Sequence, residues 1–325
     1  MTNAQTNLCG VELGGTKCVC SIGTARGEIG TQTTVPTGRD PHATLERIAV
    51  ILQEWESTHG PFGAIGIASF GPLELRRDHP RYGFVGVTSK EGWADIEIAG
   101  FFARRFGVAI GISTDVIGAA LAEARWGGAQ GLTDFAYVTV GTGVGVGLIS
   151  GGRVVLGRHN PELGHARAQR LKGDNWPGIC RFHGDCIEGI ASGPAIEARS
   201  GVSARQLPAD APAWEPVAHA LGQLMHTLVV TTAPQRILIG GGVASAQAHL
   251  FPRIRSQLRS SLGGYLDIDH VPGGLDAFIA PPGLGTLAGP LGAIAVAADA
   301  YADQVRYRGK SERDAAAARR AKRRR

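Results

Sequence analysis

Near the start of the chain, apolar residues fall in short unbroken or alternating runs. Strands are predicted over 8–13, 17–22 and on to Pro36, with turns at Gly14-Gly15-Thr16 and Ala25-Arg26-Gly27. The same plan recurs far downstream. Strands are predicted over 135–140, 144–149 and 153–156, with turns at Gly141-Thr142-Gly143 and Ser150-Gly151-Gly152. Two hairpins, each closed by a Gly-Thr turn, therefore head two halves of the chain. Helical spacing of apolar positions predicts helices over 43–55, 98–106, 116–126, 216–231, 249–262 and 291–300. Compact apolar strands fall between them at 62–69, 108–113 and 236–239. Alternating strands and helices imply an α/β protein of two similar lobes around a cleft. The expected division is an N-terminal lobe over 1–117, a C-terminal lobe over 118–304 and a tail over 305–325. The last helix of the second lobe is free to return to the first.

A length of 325 residues suits two lobes better than one core. The 48 glycines gather at the ends of apolar runs, where backbone must turn tightly or approach a ligand. The basic character is local. Residues 306–325 hold ten Lys or Arg and two acids, a net of +8 against +5 for the whole chain, so residues 1–305 carry −3. A nucleic-acid reading would rest on that tail alone, and nucleic acid is not expected as a partner. The tail is either a solvated extension or an electrostatic contact. No apolar run approaches the roughly 18 residues that span a bilayer, and residues 1–7 lack the apolar stretch of a signal peptide. The expectation is a cytoplasmic protein without a membrane partner. Five cysteines without framework spacing fit a reducing compartment.

Three glycine-rich turns suggest phosphate chemistry. Gly14-Gly15-Thr16-Lys17 combines bare backbone amides with a hydroxyl and a cation, and Gly141-Thr142-Gly143 offers the same parts without the lysine. Gly240-Gly241-Gly242, followed by Val243 and Ala244, sits between a strand and a helix, where a nucleotide can lie against backbone. One such turn would be simple turn chemistry; two in matching places and a third behind a strand point to phosphate. None has Walker A spacing.

Cys180, His183 and Cys186 give Cys-x2-His-x2-Cys, with His165 upstream. Two thiolates and two imidazoles suit a tetrahedral, closed and structural zinc site. His159, His219 and His226 lack such company and read as ordinary histidines. Asp115 stands between a predicted strand and helix, as an N-cap or as a general base, and both are possible if Thr114 supplies the cap.

The Gly-Gly-Thr-Lys, Val-Gly-Thr-Gly-Val-Gly and Gly-Gly-Gly-Val-Ala forms resemble the ROK family (repressor, open reading frame, kinase) of sugar kinases and sugar-responsive repressors, over about 8–300. The resemblance implies the duplicated actin-like (ribonuclease H-like) ATPase fold, with Gly14, Gly15, Thr16, Lys17, Gly141, Thr142 and Gly143 at phosphates. It places Gly241, Gly242 and Ala244 at the nucleoside. The segment from Glu162 to His165 and the Cys-x-x-His-Gly-Asp-Cys-x-Glu-Gly loop look like the bacterial fructokinase branch. That likeness implies Glu162 and Glu188 at sugar hydroxyls. Asp115 to Glu123 resembles the family's Asp-Val-Asn-x-Ala-Ala-Leu-Gly-Glu, whose Asp is the catalytic base. Ile117 stands at the family's Asn, Ala122 and Val146 at glycines, Thr114 where many glucokinases have Asn, and Glu12 where many relatives have an Asp near Mg²⁺. Phe70-Gly71-Pro72 resembles the Pro-Gly-Pro turn of the sugar pocket, which places Gly71, Thr114 and Asp115 at the substrate. Lys90, Trp93 and Asp95 are further pocket candidates. The implied activity is ATP-dependent phosphorylation of a hexose, fructose first and mannose or glucose as alternatives, with ATP, Mg²⁺ and structural Zn²⁺, by a homodimer. Two other readings stay open. A repressor of this family carries a winged helix-turn-helix before its core, for which the residues ahead of Gly14 leave no room. A sugar-binding protein that has lost catalysis would be favoured by Ile117.

Overall fold

Two five-stranded sheets of one plan carry the protein, seen in a computed structural model that describes residues 6–323, with side chains to Tyr307. In the first half, β1 (Leu8–Leu13), β2 (Lys17–Gly23) and β3 (Ile29–Pro36) form an antiparallel meander. Helix α1 (Pro41–His59), β4 (Ala64–Ser69), α2 (Ala99–Phe106), β5 (Ala109–Thr114) and α3 (Asp115–Trp126) follow. Strands β4 and β5 join β1 in parallel, giving the order β3-β2-β1-β4-β5.

The second half repeats the layout. Strands β6 (Phe135–Val140), β7 (Val144–Ser150) and β8 (Arg153–Val154) make the meander. Helices α4 (Ile187–Ala191), α5 (Gly193–Ser200) and α6 (Trp214–Thr232) precede β9 (Arg236–Gly240). Then come α7 (Gly242–Ala246), α8 (Leu250–Leu262), α9 (Gly274–Phe278), β10 (Ile279–Ala280) and α10 (Ala288–Arg323). The order β10-β9-β6-β7-β8 matches the first sheet strand for strand. This is the duplicated actin-like α/β fold.

Local chemistry accounts for the main elements. Every residue of β4 is buried, as expected of a parallel strand covered on both faces, whereas edge strand β3 alternates. Asp40 caps α1 by accepting from the Ala43 N–H at 3.1 Å, and Pro41 stands where a missing N–H costs nothing. That cap starts α1 ahead of the predicted 43, and the strand predicted over 153–156 pairs only at its first two residues. Helix α10 starts before the predicted 291 and runs on through Arg323. The tail thus extends a helix, and the side chains that would decide its partner lie outside the described residues.

The two lobes exchange helices. Gly10, Gly66 and Gly111 lie in register across β1, β4 and β5 and form a shallow trough for α10. A Cβ at Gly66 would stand 2.1 Å from the Ala293 carbonyl oxygen, so no other residue allows this approach. Helix α3 lies on the opposite sheet, where Ala119 and Ala120 pack with Phe135 and Tyr137. The two helices cross where Gly118 meets Gly292.

Glu123 ties this junction together. Its buried carboxylate accepts from the N–H groups of Gly128 (2.6 Å), Gly283 (3.0 Å) and Leu284 (2.9 Å). Truncation to alanine leaves three amides without that acceptor, at about 1–3 kcal/mol each where water cannot replace it. Glu123→Ala is expected to lose at least ~3 kcal/mol in urea unfolding, and Glu123→Gln, which keeps an acceptor oxygen, clearly less. Equal losses would show that packing rather than hydrogen bonding sets the cost.

Candidate active site

A cleft of about 880 Å³ opens between the lobes. The turns of both hairpins reach it, Gly15 and Thr16 from one side and Gly141 to Gly143 from the other. They face each other closely: a Cβ on Gly15 would meet the Thr142 methyl at 3.6 Å. Each turn is closed by its own backbone, Gly14 N–H to Lys17 carbonyl at 3.0 Å and Gly141 N–H to Gly143 carbonyl at 2.9 Å. Gly242 lies beside the second turn, its nitrogen 3.6 Å from where a Gly141 Cβ would be. Gly241 has φ +89° and backs onto Val140, so glycine is required there. Ala244 differs from expectation in one respect. Its methyl is buried in the core of the second lobe, so any nucleoside contact there goes through backbone. Lys17 is exposed and is not part of the cleft wall, although it follows the first turn directly.

Asp115 occupies the first turn of α3, at the end of β5 and in the cleft wall. Thr114 is the cap, its hydroxyl accepting from the Ile117 N–H at 3.3 Å. The Asp115 carboxylate is therefore not needed for capping and accepts from the Val116 N–H, at 2.9 Å. Burial, opposed by that bond and reinforced by the Glu12 and Glu162 carboxylates, pushes Asp115 up to about 7. Such a carboxylate is poised to exchange a proton near neutrality. Ile117, 2% exposed, turns into the core and takes no part in the cleft wall.

Glu162 comes from the second lobe, yet its carboxylate lies 3.3 Å from where a Gly71 Cβ would stand. The cleft narrows here between the Phe70-Gly71-Pro72 turn and Glu162. Burial raises the Glu162 pKa, against a 2.9 Å hydrogen bond donated by the Asn160 amide. Asn160 is only 3% exposed and lines the cleft, and a lone amide carries no spacing signal by which the sequence could reveal it. Glu188, near the start of α4, accepts from the Val144 N–H at 3.0 Å and so leans on the second phosphate turn. Buried Trp93 donates its indole N–H to the Gly38 carbonyl at 2.9 Å and packs edge-on against Phe70, supporting the pocket from behind. Asp95 pairs with Arg81 away from the cleft. His159, His219 and His226 bond to Asn160, Gln257 and Ser261 respectively.

The four expected metal ligands meet. One donor atom from each of His165, Cys180, His183 and Cys186 lies within 4.8 Å of every other. The Nδ1 atoms of His165 and His183 stand 3.7 and 3.6 Å from Cys180 Sγ, and His165 Nδ1 stands 3.6 Å from Cys186 Sγ. A tetrahedral ion about 2.3 Å from sulfur and about 2.1 Å from nitrogen separates S and N by roughly 3.6 Å. The donor set and spacing fit zinc. The cluster is joined to both sugar-side carboxylates: the His165 N–H bonds the Glu162 carbonyl at 3.0 Å, and Cys186 caps the helix that carries Glu188. Arg170 braces the loop through Asp174 (2.9 Å) and Asp185 (3.1 Å).

The ROK family profile matches residues 8–300. A fructokinase of Pediococcus pentosaceus is 38% identical over 88% of this chain and 96% of its own. A putative fructokinase of Bacillus subtilis is 37% identical over 89% of this chain and 94% of its own. Among solved structures, the ROK hexokinase of Thermus thermophilus superposes with a TM-score of 0.74 at 28% identity, covering 92% of this chain and all of that one. Among the described residues no helix is long and apolar enough to cross a membrane.

Proposed function

The chain belongs to the ROK family, and from that premise we propose that it is a fructokinase, moving the γ-phosphoryl group of ATP to the 6-hydroxyl of fructose. The observation that carries this reading is the position of Asp115. Its carboxylate stands in the cleft wall together with Gly15, Gly141 and Gly143 of the two facing glycine turns, across from Glu162. Nearly full-length likeness to fructokinases supports the choice of sugar.

The amides of the two turns receive the phosphates, while Gly241 and Gly242 flank the nucleoside. Glu162 and Glu188 accept hydrogen bonds from sugar hydroxyls and hold one hydroxyl toward Asp115. Asp115 takes that proton as the oxygen attacks. Closure of the lobes excludes water, which limits hydrolysis of the nucleotide. Mg²⁺ bound with ATP would neutralise phosphate charge, and Glu12, whose charge is felt at Asp115, would be the carboxylate on that side. His165, Cys180, His183 and Cys186 would hold Zn²⁺, which would supply a closed structural tie between the segments carrying Glu162 and Glu188.

ADP release with Mg-ATP, measured separately on fructose, mannose, glucose and N-acetylhexosamines, tests the assignment. Fructose is expected to give a kcat/KM at least about tenfold above the others, a difference that one or two hydrogen bonds can supply. A mannose or glucose preference would reassign the sugar. No turnover with any hexose, in protein that binds ATP, would indicate a sugar-binding protein without catalysis.

A further inference from the structure

The cleft wall holds three carboxylates, those of Asp115, Glu162 and Glu188, and one Lys or Arg side chain among the described residues, that of Lys90. A phosphoryl donor brings several more negative charges into this space. Lys90 belongs to the loop between β4 and α2, and its Nζ donates to the Gly15 carbonyl at 2.5 Å. Its backbone is anchored by Trp93, whose N–H reaches the Lys90 carbonyl at 3.2 Å. The ammonium is thereby held at the first phosphate turn, on the cleft side. A neutral peptide carbonyl is a modest partner for an ammonium, and a phosphoryl oxygen is a stronger one.

Resting on the kinase reading above, we propose that Lys90, parked on the Gly15 carbonyl in the free protein, is the catalytic cation of this cleft and moves onto the transferred phosphoryl group. During transfer, a lone pair of the sugar hydroxyl oxygen forms the new P–O bond. The bond from phosphorus to the bridging oxygen breaks, and its electron pair leaves with ADP. The hydroxyl proton goes to Asp115. Lys90 gives up no proton; it donates hydrogen bonds to the equatorial oxygens, whose charge is spread at mid-transfer. Lys17, adjacent in sequence to the same turn, is exposed and does not line the cleft.

The competing role for Lys90 is purely structural, a clip between its loop and the Gly15 turn. Kinetics and calorimetry on Lys90→Met, Lys90→Gln and Lys90→Arg separate the two. A catalytic cation predicts that kcat falls about 10²-fold or more in Lys90→Met and Lys90→Gln, in line with removal of one preorganised donor. Fructose affinity and the unfolding midpoint stay close to wild type, and Lys90→Arg keeps more activity than either. A clip predicts a lowered midpoint and weaker binding of both ligands with kcat retained, which would overturn the proposal. So would turnover of Lys90→Met within about threefold of an active wild type, while leaving the kinase reading intact. A wild type that releases no ADP with any hexose would remove the kinase reading and this proposal with it.

Discussion

Asp115→Ala is expected to lower kcat for hexose phosphorylation by about 10²–10⁴-fold, the usual contribution of a positioned general base. The fold should not suffer. Thr114 supplies the cap of α3, and the Asp115 carboxylate bonds locally, to the Val116 amide beside it. A carboxylate raised to about 7 in the folded protein also works against folding at any pH above its unfolded value. Asp115→Asn should therefore melt no lower than wild type at pH 8. The same shift predicts a pH profile. The base must be ionised to accept a proton, so kcat/KM should fall tenfold per unit as pH drops below about 7. That limb should be missing from the residual activity of Asp115→Asn. A variant that turns over like wild type, or that keeps the acidic limb, would transfer the role of base to another group.

Loss of the proposed zinc is expected to be the second large effect. Cys180→Ser and Cys186→Ser are each expected to abolish stoichiometric zinc, measured by elemental analysis of the purified protein. Structural zinc contributes directly to folding, and second-sphere disturbances commonly change affinity or activity 10- to 100-fold. Here the strained parts are the backbone below Glu162 and the cap of α4. The fructose KM should rise on the order of tenfold. Unfolding should begin about 5 °C lower, corresponding to roughly 3 kcal/mol in a chain of this size. Wild-type protein that elutes metal-free yet fully active would refute the zinc assignment.

The parts of this molecule encoded by neighbouring residues could be read from the sequence. Both meanders, both Gly-Thr turns and the metal spacing fall in that class, because turn chemistry and ligand spacing act over a few positions. Elements specified by distant pairing could not. Strand β10 has two residues and exists because it pairs with β9, and α9 is a single turn leading into it. The side chains of the site divide in the same way. Lys17 is next to a phosphate turn in sequence, but as the first residue of β2 it points to solvent; Lys90 arrives from 75 positions away. Which of the two faces the cleft depends on strand register and loop path. Asn160 shows itself only through its burial beside Glu162. The fate of Ile117 is likewise tertiary: the apolar side chain turns inward and leaves the cleft lined by its neighbours.

The helix exchange sets an order of events during translation. Sheet β3-β2-β1-β4-β5 leaves the ribosome early, but among the described residues the trough along Gly10, Gly66 and Gly111 is filled by α10, which is made after every strand of both sheets. The first lobe is thus obliged to wait, with a bare groove of backbone, for the rest of the chain. A stop codon between β10 and α10 would remove a single helix from the map of the second half and yet strip the first half of its cover. Truncated products should accordingly aggregate or be degraded as whole molecules rather than persist as a folded lobe.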